Sequence, residues 1–471
     1  MTDVPPIPEP PRDTAAGTRA GAPKGMGGRL RTGALFGFVN RAALGVLNIA
    51  VAMVLTRLLT PADFGFYTVF AQLVAVGAMA QSFGMQTGVT RLAGIAGGIG
   101  AWDQARRLLR STALLYLVTG TVAAVLLLGG WPVLEAHLFG RPLGWIVGGL
   151  VTLIVLTRAA EEIGSAYLRG VGRTRAGALL LSAPREALVF AVALAALLAG
   201  SGFGVVETVS LYAGASALMA LATLAICLRF TATHRGGPND PAHTMSFGHL
   251  AAISAPILLH SAGALVLKAT DVWVLSLYRP AEEVAYYGAA VRVTNLVLFG
   301  LSVINIALPQ LLAAMHAQGR IADFERLART AATWSTVVSL PVFVVILFFA
   351  EPVMTTLFGA PYAAGATVLI ILAAGQTVSA LVGSPGMMLQ MAGHQNLLSV
   401  LTVGALVVNV VANLLVVSDY GPEGVAVVTA LTITGRMALH TWFAWRRTGA
   451  LSLPDPRTLT AASLTAMLRR R

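Results

Sequence analysis

Ten ionisable side chains fall inside stretches that are otherwise apolar: Arg41, Arg158, Arg185, Lys268, Arg292 and Arg436, with Glu161, Glu162, Glu186 and Asp271. A cation at the centre of a lipid-embedded helix costs about 2.5–3.5 kcal/mol on insertion scales. Such charges persist where they face one another, water or a charged ligand. The planar fork of arginine suits bidentate contact with phosphate. A carboxyl group in the same setting suits carriage of a proton or a small cation. These residue types therefore point to moving an anionic solute rather than to making or breaking its bonds.

Spacing sorts the ten into groups. Arg158 stands three and four residues before Glu161 and Glu162, within reach along one helix face. Lys268 and Asp271 stand three apart. Both sets read equally well as structural ion pairs. Arg185 and Glu186 are adjacent, so they are expected to point to different faces and to need partners elsewhere. Arg41 has no acid within helical reach, and Asn48 shares its face. Arg292 shares a face with Asn295 and Ser302, and Thr432, Arg436 and His440 form a further polar stripe. Arg185 and Arg436 lie nearer helix ends, where a long side chain can snorkel.

The elements that must position these residues are membrane helices. The chain has 471 residues, of which 56% are hydrophobic and only 11% charged, against about 25% charged in soluble domains. Apolar stretches near twenty residues recur along its length. Twelve helices are expected at 34–56, 66–89, 111–130, 144–166, 178–199, 205–228, 250–275, 285–310, 331–350, 363–389, 397–417 and 424–445. Residues 1–33 read as a disordered tail without a cleavable signal. Residues 131–143 read as an interfacial segment.

The two halves repeat one another. Pro61-Ala62-Asp63 returns as Pro280-Ala281-Glu282, Leu168 to Thr174 as Leu389 to Gln395, and Gly204-Val205 as Gly424-Val425. The offsets are 219, 221 and 220 residues, which indicates a duplicated unit. Six helices per half make the repeats parallel. At the first offset Arg41 corresponds to His260, so each half places a potential cation at one depth of its first helix. Helices 1, 7 and 8 are then expected to line a basic cavity holding Arg41, His260, Lys268 and Arg292, with Arg436 as a further candidate. Asp271, Glu186 and Glu162 are the candidates for ion coupling. Arg158 and Glu161 are expected to form a structural pair.

The net charge of +12 is distributed as a membrane topology rather than as a nucleic-acid surface. With the N-terminus inside, inside segments hold 23 Lys and Arg and outside segments hold 3, namely Arg57, Arg141 and Arg279. Both termini are thus expected in the cytoplasm. The single cysteine, Cys227, excludes an intrachain disulfide. The sequence contains no Walker P-loop, no H-E-x-x-H and no Cys/His metal spacing. No cofactor is expected beyond a coupling proton or sodium ion.

The order and spacing of these pieces resemble a known group. Leu55 to Phe70 (L-T-R-L-L-T-P-A-D-F-G-F-Y-T-V-F) followed by Gln81 to Arg91 (Q-S-F-G-M-Q-T-G-V-T-R) is similar to the polysaccharide-flippase branch of the multidrug/oligosaccharidyl-lipid/polysaccharide exporter superfamily. The second half agrees through Asp271 to Leu277, Ala285 to Asn295 and Ala307 to Gln310. The resemblance spans about 34–447. It implies two six-helix lobes in a V around a central cavity, switching between inward- and outward-open states. It also implies movement of a polyprenyl-pyrophosphate-linked oligosaccharide across the bacterial inner membrane, for cell-surface polysaccharide synthesis, with basic cavity residues matching Arg41 and Arg292. The drug-exporting branch often carries an acid in its first helix, and this chain has none there. A cation-coupled exporter of small molecules is the main alternative. A membrane sugar transferase or polymerase is a third, set against short outer loops. The expected organisation is a tail at 1–33, lobes at 34–230 and 250–446, a linker at 231–249 and a tail at 447–471. The expected partners are lipid-linked oligosaccharide, membrane lipids and other polysaccharide-assembly proteins, with the chain itself a monomer and nucleic acid excluded.

Overall fold

Helix breakers and caps divide the chain more finely than hydropathy does. The computed structural model describes residues 26–238, 247–305 and 308–458. α1 runs Met26–Leu58, so it includes residues read from sequence as tail. The first turn of α2 (Pro61–Ser82) is fixed locally: the Thr60 hydroxyl caps the Asp63 backbone N–H, and Pro61 occupies the first helical position. This start lies five residues before the predicted one. Phe83 and Gly84 adopt positive φ and end α2, after which α3 (Met85–Gly98) continues the crossing. α4 covers Trp102–Gly129 and includes residues expected to be loop.

Residues 131–143 form a bent segment ahead of the next crossing. α5 (Trp131–Val133) passes into a π-turn at Leu134–Phe139, inclined 98° to α6 (Gly144–Gly170). A carboxylate oxygen of Glu135 accepts from the backbone N–H groups of Leu143 and Gly144, which holds the bend. α7 (Thr174–Leu179) and α8 (Ala183–Leu198) are separated at Ser182, whose φ is 48°. α9 is Val205–Thr233.

The second half begins with α10 (Phe247–Tyr278). Its next crossing is in three pieces: α11 (Ala281–Thr294), α12 (Phe299–Ile304) and α13 (Leu308–Ala317). α14 (Ile321–Phe358) kinks at Phe349, three residues before Pro352. A 3-10 turn leads into α15 (Ala366–Val382), then α16 (Pro385–Met391) after Gly383. α17 (Gln395–Thr448) is two crossings joined at Gly421-Pro422, where Gly421 has φ 54°. Residues 1–25 of the predicted N-terminal tail, the middle of the predicted linker (239–246) and 459–471 of the predicted C-terminal tail lie outside the described residues.

Seven helices among the described residues are long and apolar enough to cross a bilayer, and the bent α5–α6 pair makes an eighth. The second crossing of α17, the long α1 and α10, and the broken path from α11 to α13 complete the twelve-helix, two-lobe fold. Large apolar side chains are exposed in rows on α4, α14 and α17, such as Leu117, Val125, Phe348, Val407 and Leu415. Such rows suit a hydrocarbon surround rather than water.

Buried apolar residues form three clusters. The first joins both lobes at the end carrying the Pro61 and Pro280 turns, hereafter the turn end. It includes Leu55, Phe64 and Val147 with Leu275, Val284 and Tyr362. At the opposite, Arg-rich end the clusters are separate. One holds Leu92, Leu108 and Tyr167, and takes Leu250 from the start of α10. The other holds Leu312, Phe324 and Leu389. The lobes thus share their largest core at the turn end, while at the Arg-rich end only the start of α10 crosses between them.

Candidate functional site

The lobes meet along α2 and α11, and glycine permits the approach. A Cβ on Gly65 would stand 2.1 Å from the Ala281 carbonyl oxygen, and one on Gly288 would stand 2.3 Å from Thr68 Cγ2. Arg57 Nη2 donates to the Thr356 carbonyl across the lobes at 3.3 Å. The Phe64 and Tyr362 rings meet edge to face at 5.7 Å.

Arg292 lies in this seam. Its Nη1 donates to the Gly288 carbonyl at 2.8 Å and to Thr68 Oγ1 at 3.4 Å. Its guanidinium carbon sits 5.1 Å from the Phe64 ring centroid and 5.2 Å from that of Tyr67. Among the described residues no carboxylate is ion-paired with it. Aromatic faces and a backbone carbonyl hold the charge instead. The sequence placed Arg292 with Asn295 and Ser302 in an open cavity. The structure differs because α11 ends at Thr294, so Ser302 lies on a separate helix and bonds the Phe299 carbonyl.

A second polar group is buried inside the first lobe. Arg185 is 2% exposed. It donates through Nη1 to Glu161 Oε2 at 2.8 Å and through Nη2 to Glu186 Oε1 at 3.2 Å. Glu161 Oε1 accepts the Ser182 backbone N–H at 2.7 Å, which ties the triad to the break before α8. Two expectations are corrected here. Glu161 pairs with Arg185 on a neighbouring helix, whereas Arg158 reaches only Glu162, at 3.5 Å. Arg185 does not snorkel, and its length lets it fold back onto the adjacent Glu186 despite their diverging Cα positions. Glu162 also accepts from Gln86.

The triad borders a cavity of about 190 Å³ between α1, α2, α6, α8 and α9, lined by Asn48, Tyr67, Arg158, Glu186, Tyr212 and Ser216, among others. Ser216 is fully buried there and its Oγ has no partner. Tyr212 donates to Glu186 Oε2 at 3.3 Å, and the hydroxyls of Tyr67 and Tyr212 lie 2.8 Å apart.

The third group is in the second lobe. Asp271, 6% exposed, accepts from the Tyr287 hydroxyl at 2.9 Å and from Asn413 Nδ2 at 3.0 Å. Asn413 also donates to Asn409 Oδ1 at 3.1 Å, and Asn409 donates to Thr429 Oγ1 at 3.4 Å. The Asn413 side-chain oxygen, Oδ1, is buried and has no hydrogen-bond partner among the described residues. This is a hard-oxygen set able to take a proton or a small cation. Lys268, expected to pair with Asp271, is exposed, and the two Asp271 oxygens accept from Tyr287 and Asn413.

The structure thus gathers Arg292 with α2, Glu186 with Arg185, and Asp271 with two asparagines. Arg436 is half-buried on α17 with its Nε unbonded. The side chains of Arg41 and His260 lie outside the described residues. Sequence reading missed Tyr67, Tyr212, Tyr287, Asn409 and Asn413. The pair Asn409 and Asn413, four apart in an apolar run, was the available signal.

Comparison with known proteins agrees with this architecture. The MatE family model matches residues 256–415. The probable low-salt glycan biosynthesis flippase Agl15 of Haloferax volcanii is 27% identical over 184 residues, a match covering 39% of this chain and 39% of that protein. The chain therefore aligns with well under half of that relative's length. The lipid II flippase MurJ, in an inward closed conformation, superposes with TM-score 0.67 at 13% identity, covering 93% of this chain and 91% of MurJ. A multidrug resistance MATE transporter in an inward-facing conformation gives TM-score 0.69 at 16% identity, covering 88% and 98%. An outward-facing structure of a multidrug resistance MATE transporter gives 0.60 at 17% identity, covering 89% and 94%. The helical two-lobe fold, the family match and the curated relative together place this chain in the multidrug/oligosaccharidyl-lipid/polysaccharide (MOP) exporter superfamily of membrane transporters.

Proposed function

We propose that the chain is a flippase for a polyprenyl-pyrophosphate-linked oligosaccharide, moving it from the inner to the outer leaflet by alternating access. The observation that carries this reading is Arg292: a guanidinium between the lobes, held by aromatic faces and a carbonyl instead of a carboxylate. A pyrophosphate is its natural counter-ion when the seam opens. In this reading Arg41 and His260, which correspond at the repeat offset of 219 residues, are further candidates for the cationic lining, with Lys268 and Arg436 as outlying members. The match to a glycan biosynthesis flippase supports the same reading. The turn end is then the outer end, with both termini cytoplasmic and the lobes spanning 34–230 and 250–446 in a bacterial inner membrane. Other polysaccharide-assembly proteins would supply and consume the cargo.

The test is reconstitution in proteoliposomes with a short-chain polyprenyl-pyrophosphate oligosaccharide, scoring the fraction that becomes accessible to an external glycosidase. The chain is expected to accelerate this over protein-free vesicles. Arg292→Gln is expected to slow it roughly 10- to 100-fold, the loss of one charge-assisted phosphate contact of about 1.5–3 kcal/mol. Equal rates with and without protein would overturn the reading.

The alternative, a cation-coupled exporter of small molecules, is favoured by the MatE match and by the 0.69 superposition on a multidrug transporter. Uptake of an organic cation by the same vesicles, without glycolipid movement, selects it.

Under either reading we assign ion coupling first to Asp271, then to Glu186 and Glu162. One charge crossing 100 mV supplies about 2.3 kcal/mol. Asp271→Asn keeps a side chain that can accept from Tyr287 while removing the titratable charge. Its transport rate is expected to stop responding to an imposed proton or sodium gradient, a loss of up to about 50-fold at 100 mV. A rate that still follows the gradient removes Asp271 from the coupling path.

A further inference from the structure

A continuous row of polar contacts leads from the buried triad of the first lobe to the cation of the second. It runs Glu161, Arg185, Glu186, Tyr212, Tyr67 and then the Arg292 guanidinium. Tyr67 is 6% exposed and Tyr212 is 8% exposed, and both border the cavity through which solvent reaches Glu186. Its direction follows from hydrogen counting. Tyr212 has one hydroxyl hydrogen, which it donates to the Glu186 carboxylate. Tyr67 must then donate its own hydrogen to Tyr212. The Tyr67 oxygen keeps its lone pairs free beside Arg292, and the ring beneath the guanidinium belongs to a phenol polarised toward a carboxylate. Both features attract the cation.

Neutralising Glu186 reverses the row. A proton taken up from solvent on Oε2 makes that oxygen a donor to Tyr212. Tyr212 then donates to Tyr67, and the Tyr67 hydrogen is turned out toward Arg292. No bond other than this new O–H forms or breaks, and the two hydroxyls only rotate. The positive end of the Tyr67 dipole now faces the guanidinium. We propose that Tyr67 and Tyr212 are positioning residues that report the charge of Glu186 to the lobe seam, holding Arg292 over α2 when Glu186 is charged and releasing it when Glu186 is neutral. The proposal rests on the alternating-access reading but not on the identity of the cargo.

The charged and titratable groups around Glu186 are compatible with such a switch. Its own helix supplies Arg185, which occupies Oε1 and leaves Oε2 to Tyr212. α6 supplies Glu161, itself bound to Arg185, and Arg158, bound to Glu162. α9 supplies Tyr212 and α2 supplies Tyr67. α1 contributes the uncharged Asn48 to the cavity beside it.

The experiment reads the seam without cargo, so a failed transport assay leaves it intact. Spin labels are placed at Ser201→Cys and Asp419→Cys, exposed turn-end positions on either lobe, in a Cys227→Ser background. The distance distribution is measured by pulsed dipolar spectroscopy in nanodiscs. Glu186→Gln reproduces the neutral state, since its amide can donate to Tyr212. It is expected to shift the ratio of separated to closed seams roughly tenfold toward separation, the scale of one desolvated cation–π contact. In a Tyr212→Phe background the same change is expected to move the ratio less than about twofold by the same reckoning. Tyr67→Phe, which keeps the ring and loses only the hydroxyl, should confer the same insensitivity. An unchanged distribution in Glu186→Gln overturns the proposal. So does an equal shift with and without the tyrosine hydroxyls, since Glu186 would then act by another route.

Discussion

Arg185→Gln is expected to destabilise the folded protein by about 3–5 kcal/mol, the range for removing one partner of a buried ion pair. The magnitude follows from the surroundings of the triad. Glu161 is fully buried and Glu186 is 7% exposed, and Arg185 is the cation bonded to both. Without it two carboxylates face one another in a water-poor interior. Glutamine can donate to only one of them. The measurement is the unfolding midpoint on titrating the purified protein in dodecyl maltoside with SDS. Arg158→Gln is the control, because its contact with Glu162 is 3.5 Å long and both side chains are partly exposed. That change should stay within about 1 kcal/mol. Adding Glu161→Gln to Arg185→Gln should recover part of the loss, since it removes one of the stranded charges. Equal stability of Arg185→Gln and the parent chain would mean that the carboxylates are neutral already.

Gly65→Val is expected to abolish transport while leaving both lobes folded. Even the first added atom would lie 2.1 Å from the Ala281 oxygen and 2.9 Å from its carbonyl carbon. Both are backbone atoms at the start of α11, so no side-chain rotation relieves the overlap. The helices must separate by more than an ångström along the whole seam, taking Arg292 away from Phe64 and Tyr67. The two clusters at the Arg-rich end do not touch this position. The expected result is a transport rate at least about 100-fold down, as a misplacement on the order of 1 Å can produce. The turn-end distance distribution should move to the separated form with normal yield and monodispersity. Gly288→Val meets Thr68, a side chain, at 2.3 Å and should act in the same direction with a smaller effect.

The sequence disclosed the architecture better than the site. Helix number, the parallel repeat and the transporter class were legible because burying or exposing twenty apolar residues at a time leaves a strong pattern. Charged residues inside those runs were equally conspicuous. Their partners were not. Glu161 was assigned to Arg158 by spacing, yet a 27-residue helix packs against several others, and Arg185 arrived from α8. Helical spacing carries no information about such cross-helix meetings. Ser182 with positive φ and the end of α11 at Thr294 were invisible for a related reason: neither break is marked by a glycine at that position. Tyrosines were overlooked because in a membrane chain they read as interfacial anchors. Only packing shows that Tyr67, Tyr212 and Tyr287 each bring a hydroxyl to a buried partner.

Under the proposed alternating access, the shared cluster at the turn end makes the two doors thermodynamically unlike. Parting the lobes at the Arg-rich end leaves the second lobe's core whole and takes only the start of α10, at Leu250, from the first lobe's. Parting them at the turn end divides one core in two and wets apolar surface that was dry. Exposure of that kind raises heat capacity. The closed turn end is then favoured most within a limited span of temperature and loosens on cooling as well as on warming. A membrane protein of this build carries a thermal optimum in its gate, separate from the stability of its lobes and from the chemistry of its cargo.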